Sequence, residues 1–374
     1  MSSTETPRPG GKTEVKPVWK IWLGYGIRYG LPVVLTVLLL IYMFRKVNFD
    51  QMLELIAEGV DYWWILLAMG ISVFSHIFRA ARWRLQLNAL DVRPPFLALC
   101  CSIFGCYALN LVFPRLGEVW RCTYIAGTKK GSFSTVLGSM IGDRLADTLM
   151  VLLLLVFCLI VAAPAIHIFL DKYPVGRDFV RLISQFWFWA AVVGGIAICV
   201  FLFFKFRNHP LMQKIIGLIA GMWAGFTVIA RMKGRWQFLI YTLCIWGCYY
   251  FQLYVAFYAF DFTRALCHEP GTCAGLTPCL VAFVLSSISM AIPSNGGLGP
   301  WNIAIMFGLA IYGVSDAEGT AFSMLQWSGQ TVMLIILGIF TMIYVSVARK
   351  EKEEEKGEGD DESVQLADVK NFPT

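Results

Sequence analysis

The sequence predicts an all-α polytopic membrane protein with six transmembrane helices and two opposed re-entrant helical hairpins, arranged like an inverted repeat. Three observations support this fold class. First, the 374 residues are 57% hydrophobic and 15% charged, with a mean hydropathy of +0.64, whereas about a quarter of the residues in a soluble domain are charged. Second, two apolar runs break at proline and glycine and return too soon to cross a bilayer. Third, the basic residues collect on one side of the predicted topology.

Six apolar runs are predicted to cross the membrane, which takes about 20 residues per helix. The first run is short, but arginines at both of its ends can reach the interface along their apolar stems. The stretch 210–231 has basic residues at both flanks, and we interpret it as an interfacial elbow, with a further span as the alternative. The six predicted spans are 29–44, 63–78, 134–163, 186–204, 236–260 and 321–347.

Two further apolar runs are predicted to enter the membrane and turn back. The first breaks at Pro114 and the second between Pro293 and Pro300. Each returning arm is about 18 Å long at a rise of 1.5 Å per residue, too short for a hydrocarbon core about 30 Å thick. We therefore expect the two turns to meet near the middle of the bilayer, one from each face. The arms are 95–113 and 116–127 in the first hairpin, and 277–292 and 301–312 in the second.

The distribution of basic residues orients this topology. With both hairpins re-entrant, 24 of the 31 lysines and arginines fall on the side of the two termini and six on the other, with Arg144 inside the membrane. Because cytoplasmic loops carry the excess of basic residues, both termini are predicted to be cytoplasmic. The predicted domains are a disordered cytoplasmic N-terminus over 1–27, a transmembrane domain over 28–348 and a charged, disordered cytoplasmic tail over 349–374.

Six charged residues lie in or beside membrane-length apolar sequence. An ionisable group at that depth is costly unless it is paired or hydrated, so the cluster is a functional-site hypothesis by default. Three arginines and three acids can neutralise one another, so the cluster alone does not reveal the charge of a ligand. The alternative is a structural clamp that holds the first hairpin against the next span. The residues are Arg115, Glu118, Arg121, Asp143, Arg144 and Asp147.

The break in the second hairpin contains Gly296, Gly297 and Gly299, followed by Pro300. The glycines can present bare backbone amides, and proline suits the first position of the returning helix. The positive end of that helix would face the middle of the membrane. The two breaks and the arginines suit a phosphate, so we predict a membrane lipid with an anionic or zwitterionic headgroup as ligand. The alternative role for the glycines is close helix packing.

These motifs, taken in order, carry a family resemblance. They are Asn110, then Pro114-Arg115-Leu116-Gly117-Glu118 and Arg121, then Asp143-Arg144 with Asp147, then Pro293 with Gly297-Leu298-Gly299-Pro300. The series resembles that of the lysylphosphatidylglycerol synthase transmembrane-region family, over about 28–347. The resemblance implies lipid flipping across the bacterial cytoplasmic membrane. Bifunctional members add a soluble aminoacyl transferase domain, and because only a short charged tail follows Val347, a stand-alone translocation module is expected here.

The predicted function is an integral membrane lipid transporter or flippase that moves a phospholipid or a lipid-linked headgroup. The alternative is a membrane scaffold or accessory subunit of a lipid-modifying or glycan-assembly enzyme. A third hypothesis, an intramembrane lipid transferase, would use a carboxylate base such as Asp147. We expect no enzyme activity, no metal or other cofactor and no nucleic-acid partner. Self-association and association with a lipid-processing enzyme both stay open.

In the predicted site, Arg144 and Arg121 contact the headgroup, three carboxylates position them, and the two breaks supply amides. Gln326 and Gln330 share a face of the last predicted span and could line the cavity, with interhelical hydrogen bonds as the alternative. For His76 a packed polar contact is the simpler interpretation, with a proton relay as the alternative. The predicted substrate-binding residues are Asn110, Arg115, Glu118, Arg121, Asp143, Arg144, Asp147, Asn295, Gly296, Gly297 and Gly299.

Overall fold

The structure is a computed structural model that describes residues 59–113, 115–128, 132–164 and 232–370, with isolated positions at 54, 57, 185–187, 189, 190 and 194. Side chains in the last range are described as far as residue 348. Within these ranges all regular structure is helical, as predicted. The α-helices, numbered in chain order, are α1 Tyr62–Ala89, α2 Phe96–Val112, α3 Leu116–Thr128, α4 Phe133–Val161, α5 Arg235–Ala256, α6 Asp261–Leu266, α7 Leu276–Ser289, α8 Pro300–Ala310 and α9 Asp316–Lys370, and 3-10 turns lie at Phe257–Ala259 and Asn295–Gly297.

Among the described residues, four helices are long and apolar enough to cross a membrane. They are α1, α4, α5 with its following 3-10 turn, and the Asp316–Ala348 part of α9. These helices correspond to four of the six predicted spans. The predicted spans 29–44 and 186–204, and the predicted elbow over 210–231, lie outside the described residues except at a few isolated positions. The full count of six spans therefore stays a prediction.

The outer faces of α4 and α9 are apolar. Leu153 and Ile160 on α4 are 66% and 70% exposed, and Met342 and Ile343 on α9 are 72% and 60% exposed. Water-soluble monomers rarely expose contiguous apolar surface of this kind. The pattern fits helices whose outer faces contact lipid, and so a multi-pass membrane protein.

Polar residues at the helix starts fix where α1 and α9 begin. Asp61 accepts a hydrogen bond from the Trp63 amide at 3.2 Å, and its own amide donates to the Ala259 carbonyl at 3.0 Å, which ties α1 to the 3-10 turn that follows α5. At α9, Glu318 accepts from the Ser315 amide at 2.9 Å, and the Ser315 hydroxyl accepts from the Glu318 amide at 3.3 Å. This reciprocal arrangement is a capping box.

Two helices extend beyond their predicted ends. The predicted span 63–78 continues in α1 as far as Ala89, so Arg79 and Arg82 lie within the helix and not on a flanking loop. The last helix continues to Lys370, over a stretch where the sequence predicted disorder. Glutamate and lysine, which dominate that stretch, are strong helix formers, and a preceding helix spares them the cost of nucleation.

The first hairpin consists of α2 and α3, which approach each other closely. Arg115 in the turn has a φ of 65°, in the left-handed region. Just after it, a Cβ added to Gly117 would overlap the Cys106 carbonyl oxygen of α2. The Gly117 amide donates to Asn110 Oδ1 at 2.9 Å, which satisfies one of the free N–H groups at the start of α3. Asn110 and Gly117 therefore join the two arms.

The second hairpin consists of α7 and α8, and its turn depends on glycine. Gly296, Gly297 and Gly299 all have positive φ, at 57°, 83° and 90°, a conformation that glycine adopts without steric cost. Pro300 occupies the first position of α8, as predicted. The glycines of the turn therefore have a conformational role, whatever their role in binding.

The two turns contact each other, whereas their entry from opposite faces of the membrane stays a prediction. The Asn295 side-chain amide in the second turn donates to the Val112 carbonyl at the end of α2, at 3.4 Å. From α9, Trp327 Nε1 donates to the Gly296 carbonyl at 2.9 Å. The second turn is thereby joined both to the first hairpin and to α9.

Both hairpins pack on α9 through small residues. Gly338 of α9 lies against α2, where an added Cβ would be 2.6 Å from the Ala108 Cβ. Gly319 lies against α8, where an added Cβ would be 3.1 Å from the Met306 Cα. Small residues let helix backbones approach closely inside membranes. The last helix is therefore the common support of the two hairpins.

We predict that Gly117→Ala destabilises the protein, whereas Gly138→Ala does not. The methyl group added at position 117 would overlap the Cys106 carbonyl, and overpacking of this kind costs about 1–3 kcal/mol. Gly138 lies in α4 with nothing within 4 Å of an added Cβ, so alanine there should be neutral or stabilising by up to about 1 kcal/mol. Thermal unfolding of the two purified variants in detergent measures the difference. Equal unfolding temperatures would contradict the close contact of α2 with α3.

Candidate functional site

Two arginines on α1 face two aspartates on α4 inside the protein. Each pair is spaced by about one helical turn, so its members share a face of the helix. Arg79 Nη1 lies 2.7 Å from Asp147 Oδ2 and 3.4 Å from Asp143 Oδ2. Arg82 Nη2 lies 2.7 Å from Asp143 Oδ1 and 2.8 Å from Asp147 Oδ1. Each arginine contacts both aspartates, and we call these four residues the double ion pair.

The double ion pair is buried and formally neutral. Both arginine side chains and one of the aspartates are at most 3% exposed, and Asp147 is 12% exposed. Helix α5 supplies further acceptors: Arg79 Nη2 donates to the Tyr249 hydroxyl at 3.2 Å, and Arg82 Nη1 donates to Thr242 Oγ1 at 3.2 Å. Buried charges persist when they are paired and hydrogen-bonded. The network therefore holds α1, α4 and α5 together.

A second ion pair links the first hairpin to α4. Arg144 Nη2 lies 2.5 Å from Glu118 Oε1, and the two side chains are 36% and 24% exposed. Glu118 sits in the first turn of α3, where a negative charge also interacts favourably with the positive end of the helix. This pair is more exposed than the double ion pair, and both of its residues line a cavity.

Arg121 lies apart from both ion pairs. Its side chain is fully buried, and its guanidinium carbon lies 4.2 Å from the centre of the Trp83 ring. Trp83 is held in turn by a hydrogen bond from its Nε1 to Ser139 Oγ at 2.9 Å. A guanidinium over a tryptophan face is a favourable cation–π contact. This contact packs α3 against α1, and Arg121 does not reach the cavity.

A cavity of about 880 Å³ lies between the turns of the two hairpins. Its walls come from α1, α2, α3, α4, α5, α7, α8 and α9 and from the residues of both turns. The Arg144–Glu118 pair and Arg79 with Asp147 form its charged lining, and residues of the turn around Pro293 also line it. Pockets that bind small molecules are typically about 300–1,000 Å³, so the volume is large enough for a lipid headgroup.

The structure divides the eleven predicted binding residues into two groups. Seven line the cavity: Asn110, Arg115, Glu118, Arg144, Asp147, Gly296 and Gly297. The other four, which do not, are Arg121, Asp143, Asn295 and Gly299. Each of these four is engaged elsewhere.

The residues of the second group make contacts outside the cavity. Arg121 packs on Trp83, and Asp143 is fully buried in the double ion pair. The Gly299 amide is not bare, because it donates to Asn302 Oδ1 at 3.1 Å. Asn302 lies three residues further on, in the first turn of α8, so it satisfies a backbone donor at the start of its own helix.

The sequence interpretation missed Arg79 and Arg82. It placed both on a basic flank of the second predicted span, whereas the structure buries them opposite the aspartates. A signal existed in their spacing. Asp143 and Asp147 lie one turn apart within an apolar run, so burying them requires two cations with a matching spacing. Arg79 and Arg82 have that spacing and directly follow another apolar run. His76, Tyr107 and Tyr249 also line the cavity beside them, and no charge pattern points to those three.

Comparisons with known proteins agree with the motif series. The family model described as Lysylphosphatidylglycerol synthase TM region matches residues 30–338, and the predicted resemblance is confirmed. The UPF0104 membrane protein PH1989 of Pyrococcus horikoshii is 21% identical over 317 residues, which are 79% of this chain and 91% of that protein. Its name places it in a membrane and states neither activity nor substrate. No solved structure matches the chain.

We predict that Asp143→Asn strongly destabilises the protein. The substitution keeps the shape of the side chain but leaves two buried arginines with one carboxylate, and breaking a buried ion pair costs about 3–5 kcal/mol. The matched control is Asp91→Asn, because Asp91 is 91% exposed and lies 3.6 Å from Arg93 on the surface. Exposed pairs contribute little to stability, so the control should unfold like the parent. Thermal unfolding in detergent checks both variants, and similar curves for the two would rule out a stabilising double ion pair.

Proposed function

The chain belongs to the lysylphosphatidylglycerol synthase transmembrane-region family, and on that premise we propose that it moves a membrane lipid across the bilayer. The headgroup binds in the cavity between the two hairpin turns, and the acyl chains stay in the lipid. The observation that carries this proposal is the cavity itself, in which charged side chains and both chain reversals converge between apolar helices. Irregular backbone at membrane depth is tolerated where it lines such a cavity.

The charges around the cavity favour an anionic group. Three arginines and two acids line its walls, and each of the two carboxylates already has an arginine partner. Among the described residues no carboxylate lies within ion-pair distance of Arg115 or Arg121, and of these two only Arg115 lines the cavity. The excess positive charge is therefore available to a phosphate, which arginine binds well.

The proposed roles follow from these positions. Arg144 and Arg115 contact the headgroup, and Glu118 orients Arg144. Gly296 and Gly297 contribute backbone at the second turn. The double ion pair has a structural role: Arg79 and Asp147 also line the cavity, whereas Asp143, among the described residues, forms ion pairs only with the arginines of the pair.

One wall of the cavity offers a path for the acyl chains. Leu152 of α4 lines the cavity and is also 53% exposed on the outer apolar face of that helix. Its neighbours Val151 and Leu155 line the cavity as well. A headgroup inside the cavity can thus remain attached to chains that lie outside the protein. Separation of the two turns, which meet at Asn295 and Val112, would then open the cavity toward either face, as in transporters that rock two halves about a central site.

We predict that Arg144→Gln lowers lipid exchange by about tenfold or more in proteoliposomes, because a hydrogen bond to a charged group contributes about 1.5–3 kcal/mol. Exchange is measured with phosphatidylglycerol that carries a fluorescent label on an acyl chain. A membrane-impermeant quencher added outside removes the fluorescence of the outer leaflet, so further loss reports lipid that has moved from the inner leaflet. Arg93→Gln, at an exposed position outside the cavity, is the control and should exchange like the parent.

Glu118→Gln separates headgroup binding from a structural clamp. A clamp predicts equal losses for Arg144→Gln and Glu118→Gln, because each breaks the same ion pair. Headgroup binding predicts the larger loss for Arg144→Gln, with both variants equally folded by size-exclusion chromatography. If the parent protein exchanges lipid no faster than empty liposomes, the transporter proposal fails and the scaffold or accessory-subunit hypothesis gains support.

A further inference from the structure

Several polar side chains in the cavity have no hydrogen-bond partner among the described residues. Both ring nitrogens of His76, Nε1 of Trp246 and the side-chain oxygens of three glutamines are buried and unpaired, although all five residues line the same cavity. They come from α1, α5 and α9, so three separate helices direct unsatisfied groups to one region. The glutamines are Gln252, Gln326 and Gln330.

These groups are too buried to be satisfied by bulk solvent. His76 is 2% exposed, Gln326 3% and Trp246 7%. Most buried polar atoms in proteins have a partner, and leaving one without a partner is costly. Several such atoms around a single cavity indicate that a ligand supplies their hydrogen-bond partners.

The unpaired atoms specify which ligand chemistry fits. Trp246 Nε1 can only donate, a glutamine oxygen accepts, and a neutral histidine does both. A phosphate only accepts hydrogen bonds and an ammonium only donates them, so neither can satisfy the whole set. An ammonium is further disfavoured because every carboxylate at the cavity already has an arginine partner. A hydroxyl group both donates and accepts, so a group with several hydroxyls satisfies all of these atoms.

Aromatic side chains flank the same region. Trp301, Trp327, Tyr107 and Tyr249 line the cavity, and the His76 ring lies 4.7 Å from the Tyr107 ring, centre to centre. Aromatic rings provide flat, largely apolar faces against which the C–H groups of a ring can pack. Flat faces beside amide and imidazole groups suit a polyhydroxylated ring.

We propose that the lipid bears a polyhydroxylated headgroup, a sugar or a cyclic polyol, joined through a phosphate. The inference rests on the proposed function and narrows its substrate class. The phosphate lies at Arg144 and Arg115, and the hydroxyl groups lie toward His76 and Gln326. A cavity that simply holds water would not distinguish headgroups of equal charge.

Three lipids of equal net charge test this inference: phosphatidylinositol, phosphatidylglycerol and phosphatidylmethanol, which differ in the number of headgroup hydroxyls. Each is titrated against the full-length protein in detergent, and binding is measured by native mass spectrometry. Phosphatidylinositol should bind about tenfold more tightly than phosphatidylmethanol, with phosphatidylglycerol between them, because each additional hydrogen bond adds a few-fold in affinity.

Two cavity variants and one control identify the residues responsible. Gln326→Met and His76→Phe should each reduce the advantage of phosphatidylinositol to within about threefold, since they remove the groups that meet its hydroxyls. Binding of phosphatidylmethanol, which has no headgroup hydroxyl, should change less than binding of phosphatidylinositol. Neither variant should unfold more easily than the parent without lipid, because each removes an unsatisfied buried polar group. Gln237→Met, at an exposed position of α5 outside the cavity, should behave like the parent.

The outcomes separate this inference from the proposed function. Equal affinity for the three lipids overturns the polyhydroxylated headgroup but leaves transport of an anionic lipid standing. Loss of selectivity in Gln237→Met as well also overturns it. Binding of none of the three lipids by the parent counts against the proposed function and the inference together.

Discussion

The double ion pair between α1 and α4 is the interaction on which the remaining structure depends. Two aspartates inside an apolar helix are compatible with burial only if matched cations reach them from a neighbouring helix, and Arg79 and Arg82 supply those cations. This requirement fixes both the rotation of α1 and α4 about their axes and their relative height. Since Tyr249 and Thr242 of α5 bind the same arginines, one neutral network sets three walls of the cavity.

Charge in this protein is divided between a structural and an accessible set. The double ion pair is buried and balanced, so it adds no net charge to the cavity. Arg144 and Glu118 form the accessible pair at the boundary between α4 and the first hairpin. Arg121, which sequence order groups with them, packs on Trp83. Proximity in the sequence therefore did not predict which arginine faces the cavity, because Arg121 and Arg144 lie on different helices with different neighbours.

Local features of the chain were predictable, and long-range pairings were not. Apolar length, Pro300 and the glycine-rich turn predicted both hairpins, since these depend on backbone conformation within a few residues. The partners of Asp143 and Asp147 lie more than 60 positions away in sequence, and hydropathy assigned them to the edge of a span. The Gly299 amide donates to Asn302, only three residues further along the chain. A helix cap of this kind is local, so the sequence could have predicted it.

Under the proposed function, the position of Leu152, on the wall of the cavity and on the outer face of α4 at once, bears on how strongly the protein should hold a lipid. A lipid that enters the cavity from the surrounding bilayer has a high local concentration there, far above that of a dilute solute in water. Under such conditions occupancy is easily reached, and additional affinity would mainly delay release. An entrance beside Leu152 would therefore favour rapid turnover, with small differences in affinity between lipid headgroups.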